Sequence, residues 1–237
     1  MEIDSRGEMT FTDALVLFFT APFRLRTYTN LLYLMLAFPL GLLYFIFLIV
    51  GLSTGLGLVI VWIGIPILAV VFAGSWWLAA LERQLAIHAL GAEVPPMAPP
   101  PGSERTAGFW QRVGAFFSNP VTWKGMAFLL LKFPLGMASF IAVVTLLSTS
   151  AGFLLAPAAW LFGGEWAFEI DFLFWTVDSL AGAMAVGAFG VVLFFFSLNL
   201  LNGLALFWRW TASFLLGSER FMPAAPMTPA MPATATA

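Results

Sequence analysis

Few side chains in this sequence can do chemistry, and the most conspicuous is a lysine inside an apolar run. Lys132 stands in LLLKFPLG, Leu129 to Gly136, two residues before Pro134. A lysine at the bilayer centre costs roughly 2.5–3.5 kcal/mol on insertion scales. Two arrangements relieve that cost. Lys132 lies about seven residues into its apolar span, roughly 10 Å at about 1.5 Å per residue, so its stem can snorkel to the headgroups. Alternatively it is a buried cation that pairs with Glu82 or with a ligand anion between helices. Pro134 frees a backbone carbonyl one turn earlier, near the same level. The lysine and the broken ladder together could hold a polar group.

Other polar residues are scattered. Glu82, Arg83 and Arg209 mark span ends, where interfacial anchoring and a local ion pair are the simplest roles. Asn199 and Asn202 share a helix face and, with Ser197, suit interhelical hydrogen bonding. In the segment Glu165 to Trp175, apolar Trp166, Phe168, Ile170, Phe172 and Phe174 alternate with Glu169 and Asp171. Period two predicts an extended piece with one apolar face. That piece either docks on the bilayer or forms a lid that senses a ligand or partner, with Trp166, Phe168, Glu169, Asp171, Phe172 and Trp175 as candidates. Its carboxylates could attract a cation, but their spacing is not that of a metal site. The one histidine, His88, falls beyond the second span and reads as a surface residue. There is no cysteine, which removes thiolate nucleophiles and Cys-ligated metals. No P-loop, HExxH, GxSxG or haem-ligand pair occurs. No catalytic residue, metal or cofactor is expected, and the protein is not read as an enzyme.

The elements that position these residues follow from composition. The 237 residues are 61% hydrophobic and 9% charged, against roughly 25% charged in soluble domains. Asn30 to Leu81, Phe133 to Gly164 and Ser179 to Trp208 contain no Asp, Glu, Lys or Arg. A bilayer-crossing helix needs about 20 apolar residues, so the chain reads as an all-α integral membrane protein with four spans. They run about Leu31 to Val50, Leu58 to Leu81, Met126 to Leu147 and Leu180 to Phe207, with Gly51 to Gly57 as the first hairpin's tight turn. The acidic N-terminus (Glu2, Asp4, Glu8, Asp13) does not resemble a signal peptide. A net charge of −2 and the lack of a basic stripe exclude a nucleic-acid partner.

The sequence also repeats. Ninety-five residues before Lys132-Phe-Pro-Leu-Gly the chain reads Ala37-Phe-Pro-Leu-Gly41, and Thr27, Phe45, Ser53 and Thr54 match Thr122, Phe140, Ser148 and Thr149. At a longer offset Leu78, Ala79, Arg83 and Gly91 match Leu204, Ala205, Arg209 and Gly217. Each repeat (about 11–93 and 109–217, within one domain 1–217) is expected to be an interfacial amphipathic segment followed by a helical hairpin. Residues 94–104 form a Pro-rich linker, and 218–237 a low-complexity, disordered tail. The lysines and arginines can all be placed on one side, so the positive-inside rule puts both termini in the cytoplasm. The repeat is then parallel, about an axis along the membrane normal. Small residues from Gly182 to Gly190 thin the fourth span for packing within the bundle or between protomers.

RTYTNLLYLMLAFPLGLLYFIFLIVGLSTGLGL, the following Leu-Glu-Arg-Gln, and WKGMAFLLLKFPLG resemble the sensor-domain family of actinobacterial and archaeal signalling proteins, over about residues 15 to 217. In that family a four-span module commonly precedes a histidine kinase. The resemblance implies a sensor whose output passes to a separate partner, since no kinase follows here. The expectation is a non-enzymatic sensor or regulatory module in the cell (plasma) membrane. It would bind a hydrophobic or membrane-borne signal and act on a membrane or cytoplasmic partner (kinase, regulator or larger complex). A structural accessory subunit holding lipid or cofactor is the alternative, and a small transporter or channel component the weaker one. Besides the lipid bilayer, a homo-oligomer is compatible.

Overall fold

A computed structural model describes residues 16, 18–94, 114, 118, 120–162, 171–172, 175–176 and 179–217. Four long helices dominate it: α1 (Leu25–Gly57), α2 (Gly64–Leu90), α3 (Pro120–Leu154) and α5 (Leu180–Leu216), with a short α4 (Ala156–Phe162) between the last two. All four long helices are long and apolar enough to cross a membrane. α1, α3 and α5 outrun their expected spans, and α2 runs nine residues past its expected end at Leu81 but begins at Gly64 and not Leu58, because apolar content measures the hydrocarbon crossed and not where the backbone stops being helical. A 3₁₀ turn at Ala21–Phe23 leads into α1. Upstream, Phe18 and Phe19 pack edge-on against Phe195 or stack with it at 5.4–6.2 Å. The described part of the first expected interfacial segment therefore lies on α5. In the second such segment, Trp123 and Lys124 belong to α3 itself.

The glycines at 51–57 do not form the hairpin turn. α1 stays helical through them, and the chain reverses over Leu58–Ile63, with Trp62 left-handed at φ 64°. Gly51 and Gly55 instead make room for Val71 and Leu68 of α2. Gly64 is pressed against the Gly55 carbonyl and Val59 nitrogen, leaving no space for a side chain. α2 ends at Gly91, whose φ of 62° favours glycine. The chain then doubles back, and the Val94 carbonyl accepts from Arg83 Nη2 at 2.8 Å.

Helix directions follow from which residues meet. α1 with α2, and α3 with α5, are antiparallel hairpins: Ser139 meets Trp208, and Ser150 meets Ser197. Across the hairpins, numbers rising along α1 fall along α3. Ala37 lies on Gly136, Gly41 on Lys132, Phe38 packs tilted against Phe140 at 5.4 Å and Phe45 stacks on Phe133 at 4.8 Å. Between α2 and α3 they rise together, from Phe72–Trp123 through Ala79–Gly125 to Glu82–Lys132. α1 and α3 are therefore antiparallel. The expected parallel repeat about the membrane normal is corrected to an axis across the helices.

The duplicated Phe-Pro-Leu-Gly words meet at the centre of this arrangement. A Cβ on Gly41 would stand 2.7 Å from the Lys132 carbonyl, and one on Gly136 would stand 2.5 Å from the Ala37 carbonyl. The two contacts are each other's equivalents under the ninety-five-residue offset. Glycine is required because backbone touches backbone there.

Of the outer connection 148–178, Ser148–Leu154 extends α3, and α4 follows. A two-residue antiparallel ladder pairs Asp171 with Thr176 and Phe172 with Trp175. That agrees with an extended segment at those residues. Trp166, Phe168 and Glu169, most of the linker and the tail lie outside the described residues. The thin half of α5 packs inside the chain, with Gly187 against Pro157 and Gly190 against Phe153–Leu154.

Candidate functional site

Lys132 and Glu82 are both 0% exposed and form an ion pair in the bundle core. The snorkelling alternative is thereby removed. The reason is directional. A helical side chain leans towards its own N-terminus. Lys132 points back along α3 and Glu82 back along α2, from positions where the stems overlap.

Every long helix contributes to what surrounds the pair. From α1, Tyr44 donates to Glu82 Oε1 at 2.8 Å, and Tyr33 Oη accepts from Lys132 Nζ at 3.3 Å. The ammonium also lies 4.7 Å from the Tyr33 ring centre, 6.0 Å from that of Tyr44 and 5.7 Å from Trp208 of α5. Such distances allow cation–π attraction. Trp208 is anchored in turn by donating from Nε1 to Ser139 Oγ at 2.9 Å, while Ser139 donates to the Leu135 carbonyl at 2.8 Å. Both carboxylate oxygens and the ammonium are thus hydrogen-bonded, as buried charges require.

The arrangement has a repeat logic. Tyr44 and Ser139 are equivalent at one offset, and Glu82 and Trp208 at the other. So Tyr44–Glu82 in one hairpin and Ser139–Trp208 in the other are the same contact, charged once and neutral once. Lys132 replaces Ala37 and supplies the counter-charge. Reading single residues overlooked Tyr33, Tyr44, Ser139 and Trp208. The signal was available in the alignment, because Trp208 falls on Glu82.

The other candidates do not join this cluster. Asn202 donates to Thr27 Oγ1 at 3.1 Å and accepts from Asn30 at 2.9 Å, tying α5 to α1. Asn199 donates to the Phe18 carbonyl at 3.1 Å. Ser197, expected to help them, pairs with Ser150 at 3.0 Å. Arg83 and Arg209 flank the cluster on α2 and α5, one residue from Glu82 and Trp208. His88 is exposed, and its Nδ1 lies 2.8 Å from the Gln84 carbonyl. Asp171, Phe172 and Trp175 belong to the short ladder. Among the described residues no cluster of His, Cys, Asp or Glu has metal-site geometry.

A family model described as "Putative sensor" matches residues 33–216, which contain α2, α3, α5 and all but the first residues of α1. The chain belongs to the Sensor family. No curated protein and no solved structure matches it. The family speaks for a sensing role in a multi-pass membrane protein and against catalysis as its purpose. The stretch it covers includes the whole Lys132–Glu82 cluster.

Proposed function

We propose that the protein is a non-catalytic sensor of the plasma membrane. A hydrophobic or membrane-borne signal displaces the two hairpins relative to each other, and the displacement is passed to a separate protein. The observation that carries this reading is the fully buried Lys132–Glu82 pair, which contacts residues from all four long helices. A buried pair is a poor way to gain stability, since well-packed apolar residues often do as well or better. It is a good way to specify one packing, because a small slide leaves two charges unpaired. That gives the bundle two distinguishable states rather than a continuum. A signal acts by binding one of them better.

The test compares the wild-type chain with the double variant Lys132→Met/Glu82→Leu. Each is recovered from its native membrane in gentle detergent, with protein and lipid identified together by mass spectrometry. The reading expects a kinase or regulator, or a specific small molecule, with wild type and an altered yield with a folded double variant. Equal recovery by both would remove the pair from signalling. Recovery in a fixed-stoichiometry redox or transport assembly would make this an accessory subunit.

A further inference from the structure

The two hairpins carry apolar tips that point opposite ways. α1 and α3 are antiparallel, so the turn after α1 and the turn after α3 lie at opposite ends of the bundle. In the first, every residue of Leu58–Ile63 is apolar and exposed, with Ile60 88% and Trp62 72% accessible. In the second, Leu154, Leu155, Leu161 and Phe162 are exposed, Phe162 at 86%. Neither tip carries a charge, since they fall inside the runs Asn30 to Leu81 and Phe133 to Gly164. The first tip also turns its backbone on itself. The N–H groups of Leu58, Val61, Trp62 and Gly64 donate to carbonyls of Thr54, Leu58, Val59 and Leu58 at 2.9–3.2 Å. A turn made that way suits hydrocarbon, where unpaired backbone groups are costly.

The tips are too far apart for one bilayer. Gly57 is sixteen residues, about 24 Å, beyond Gly41 on α1, and Leu154 is eighteen residues, about 27 Å, beyond Gly136 on α3. Measured along the helices, about 50 Å separates the two ends, against about 30 Å of hydrocarbon. A tilt of about 40°, the upper end of the usual range, shortens that only to about 38 Å. An overlong apolar structure tilts, kinks or thickens the bilayer, at a cost that grows with each ångström of mismatch. The load falls on both tips. Each acts through an arm of about 25 Å on the joint where Gly41 and Gly136 bring backbone against backbone. The first arm is packed along its length, since Val71 and Leu68 fill the space over Gly51 and Gly55. The Lys132–Glu82 pair lies beside the joint, Lys132 being the residue whose carbonyl faces Gly41.

We propose that the signal is the thickness of the bilayer. Thickness sets how far apart the two tips are held, and the change is taken up between the hairpins rather than within them. This rests on the sensor reading above and names its signal. A thin bilayer draws the tips together by sliding or folding the hairpins at the glycine joint, and a thick one lets them extend. The paired charges sit where that movement is felt.

The experiment measures distances by double electron–electron resonance on the full chain, which has no cysteine of its own. Spin labels are placed at Ile60→Cys and Phe162→Cys. The protein is reconstituted in dimyristoleoyl, dioleoyl and dierucoyl phosphatidylcholine, in order of increasing thickness. The tip-to-tip distance is expected to lengthen by about 3–6 Å from the thinnest to the thickest, comparable with thickness differences among natural membranes. Leu43→Cys with Ile60→Cys, both exposed and inside one hairpin, should keep its distance. Val61→Cys with Leu161→Cys, also exposed, repeats the measurement if the first pair does not fold. A constant tip-to-tip distance means that the bundle tilts as a rigid body. That overturns thickness as the signal and leaves the comparison of wild type with the double variant standing. Distances that shift equally in both pairs put the strain inside a hairpin and overturn the joint. A distance that follows phosphatidylglycerol content, and not chain length, overturns thickness in favour of surface charge.

Discussion

Removing Lys132 alone should damage the protein more than removing Lys132 and Glu82 together. In Lys132→Met, Glu82 stays at 0% exposure and keeps one hydrogen bond, from Tyr44. Breaking a buried pair from one side costs about 3–5 kcal/mol, because the remaining charge is uncompensated. Glu82→Leu should cost a similar amount by stranding the ammonium, with Tyr33 Oη and three ring faces as its only company. The double variant leaves no charge behind. Methionine is close to lysine in length, so the core refills and stability should return to within about 1–2 kcal/mol of wild type. Independent sites add within about 0.5 kcal/mol, whereas this cycle should miss additivity by about 3 kcal/mol or more. Each kcal/mol moves the midpoint by roughly 2–4 °C in a chain of this size. The single variants should therefore melt about 6–20 °C lower and the double near wild type, followed by tryptophan fluorescence in one fixed detergent. Additive losses, or a Lys132→Met that melts like wild type, would refute the argument that the two charges are held only by each other.

The remaining expectations follow from contacts already described. Tyr44→Phe removes one of two donors to Glu82 and should cost about 1.5–3 kcal/mol by the same melt, since the acceptor is charged. Gly41→Ala and Gly136→Ala each drive a methyl into backbone and should cost about 1–3 kcal/mol, whereas Gly57→Ala, with nothing within 4 Å, should be nearly silent. The chain has no cysteine of its own, which makes cross-linking clean. Phe45→Cys with Phe133→Cys should be bridged by a short bifunctional reagent, and Phe45→Cys with Phe140→Cys should not; the reverse result would restore the parallel repeat. Asn202→Ala should cost about 0.6–2 kcal/mol, the range of interhelical hydrogen bonds in membranes.

The sequence carried much of this, unevenly. Four spans were legible because charge-free runs of that length have few soluble uses. The close approach at Gly41 and Gly136 was marked by a repeated word, though not its direction. Periodicity identifies the face a residue occupies, and both orientations of a helix present the same face. Lys132 illustrates a second limit. Counting residues from a span end gives depth along one axis, and at that depth snorkelling is reasonable. What decided the matter was Glu82 meeting the ammonium in the core from another helix, a fact of packing. The turn was misplaced because Gly51 and Gly55 look like turn residues, whereas the structure uses their smallness against Val71 and Leu68.

The ion pair joins residues separated by 50 positions, one in each hairpin. At about 5–20 residues per second of synthesis, Glu82 leaves the ribosome roughly 3–10 s before its counter-charge exists. During that interval the first hairpin has a carboxylate without its cation and a glycine groove without its ridge. Its final position in the membrane therefore depends on an event late in translation. A chain interrupted after α2 would carry the demand for a partner and no means to meet it, which is the kind of half-product that membrane quality control removes.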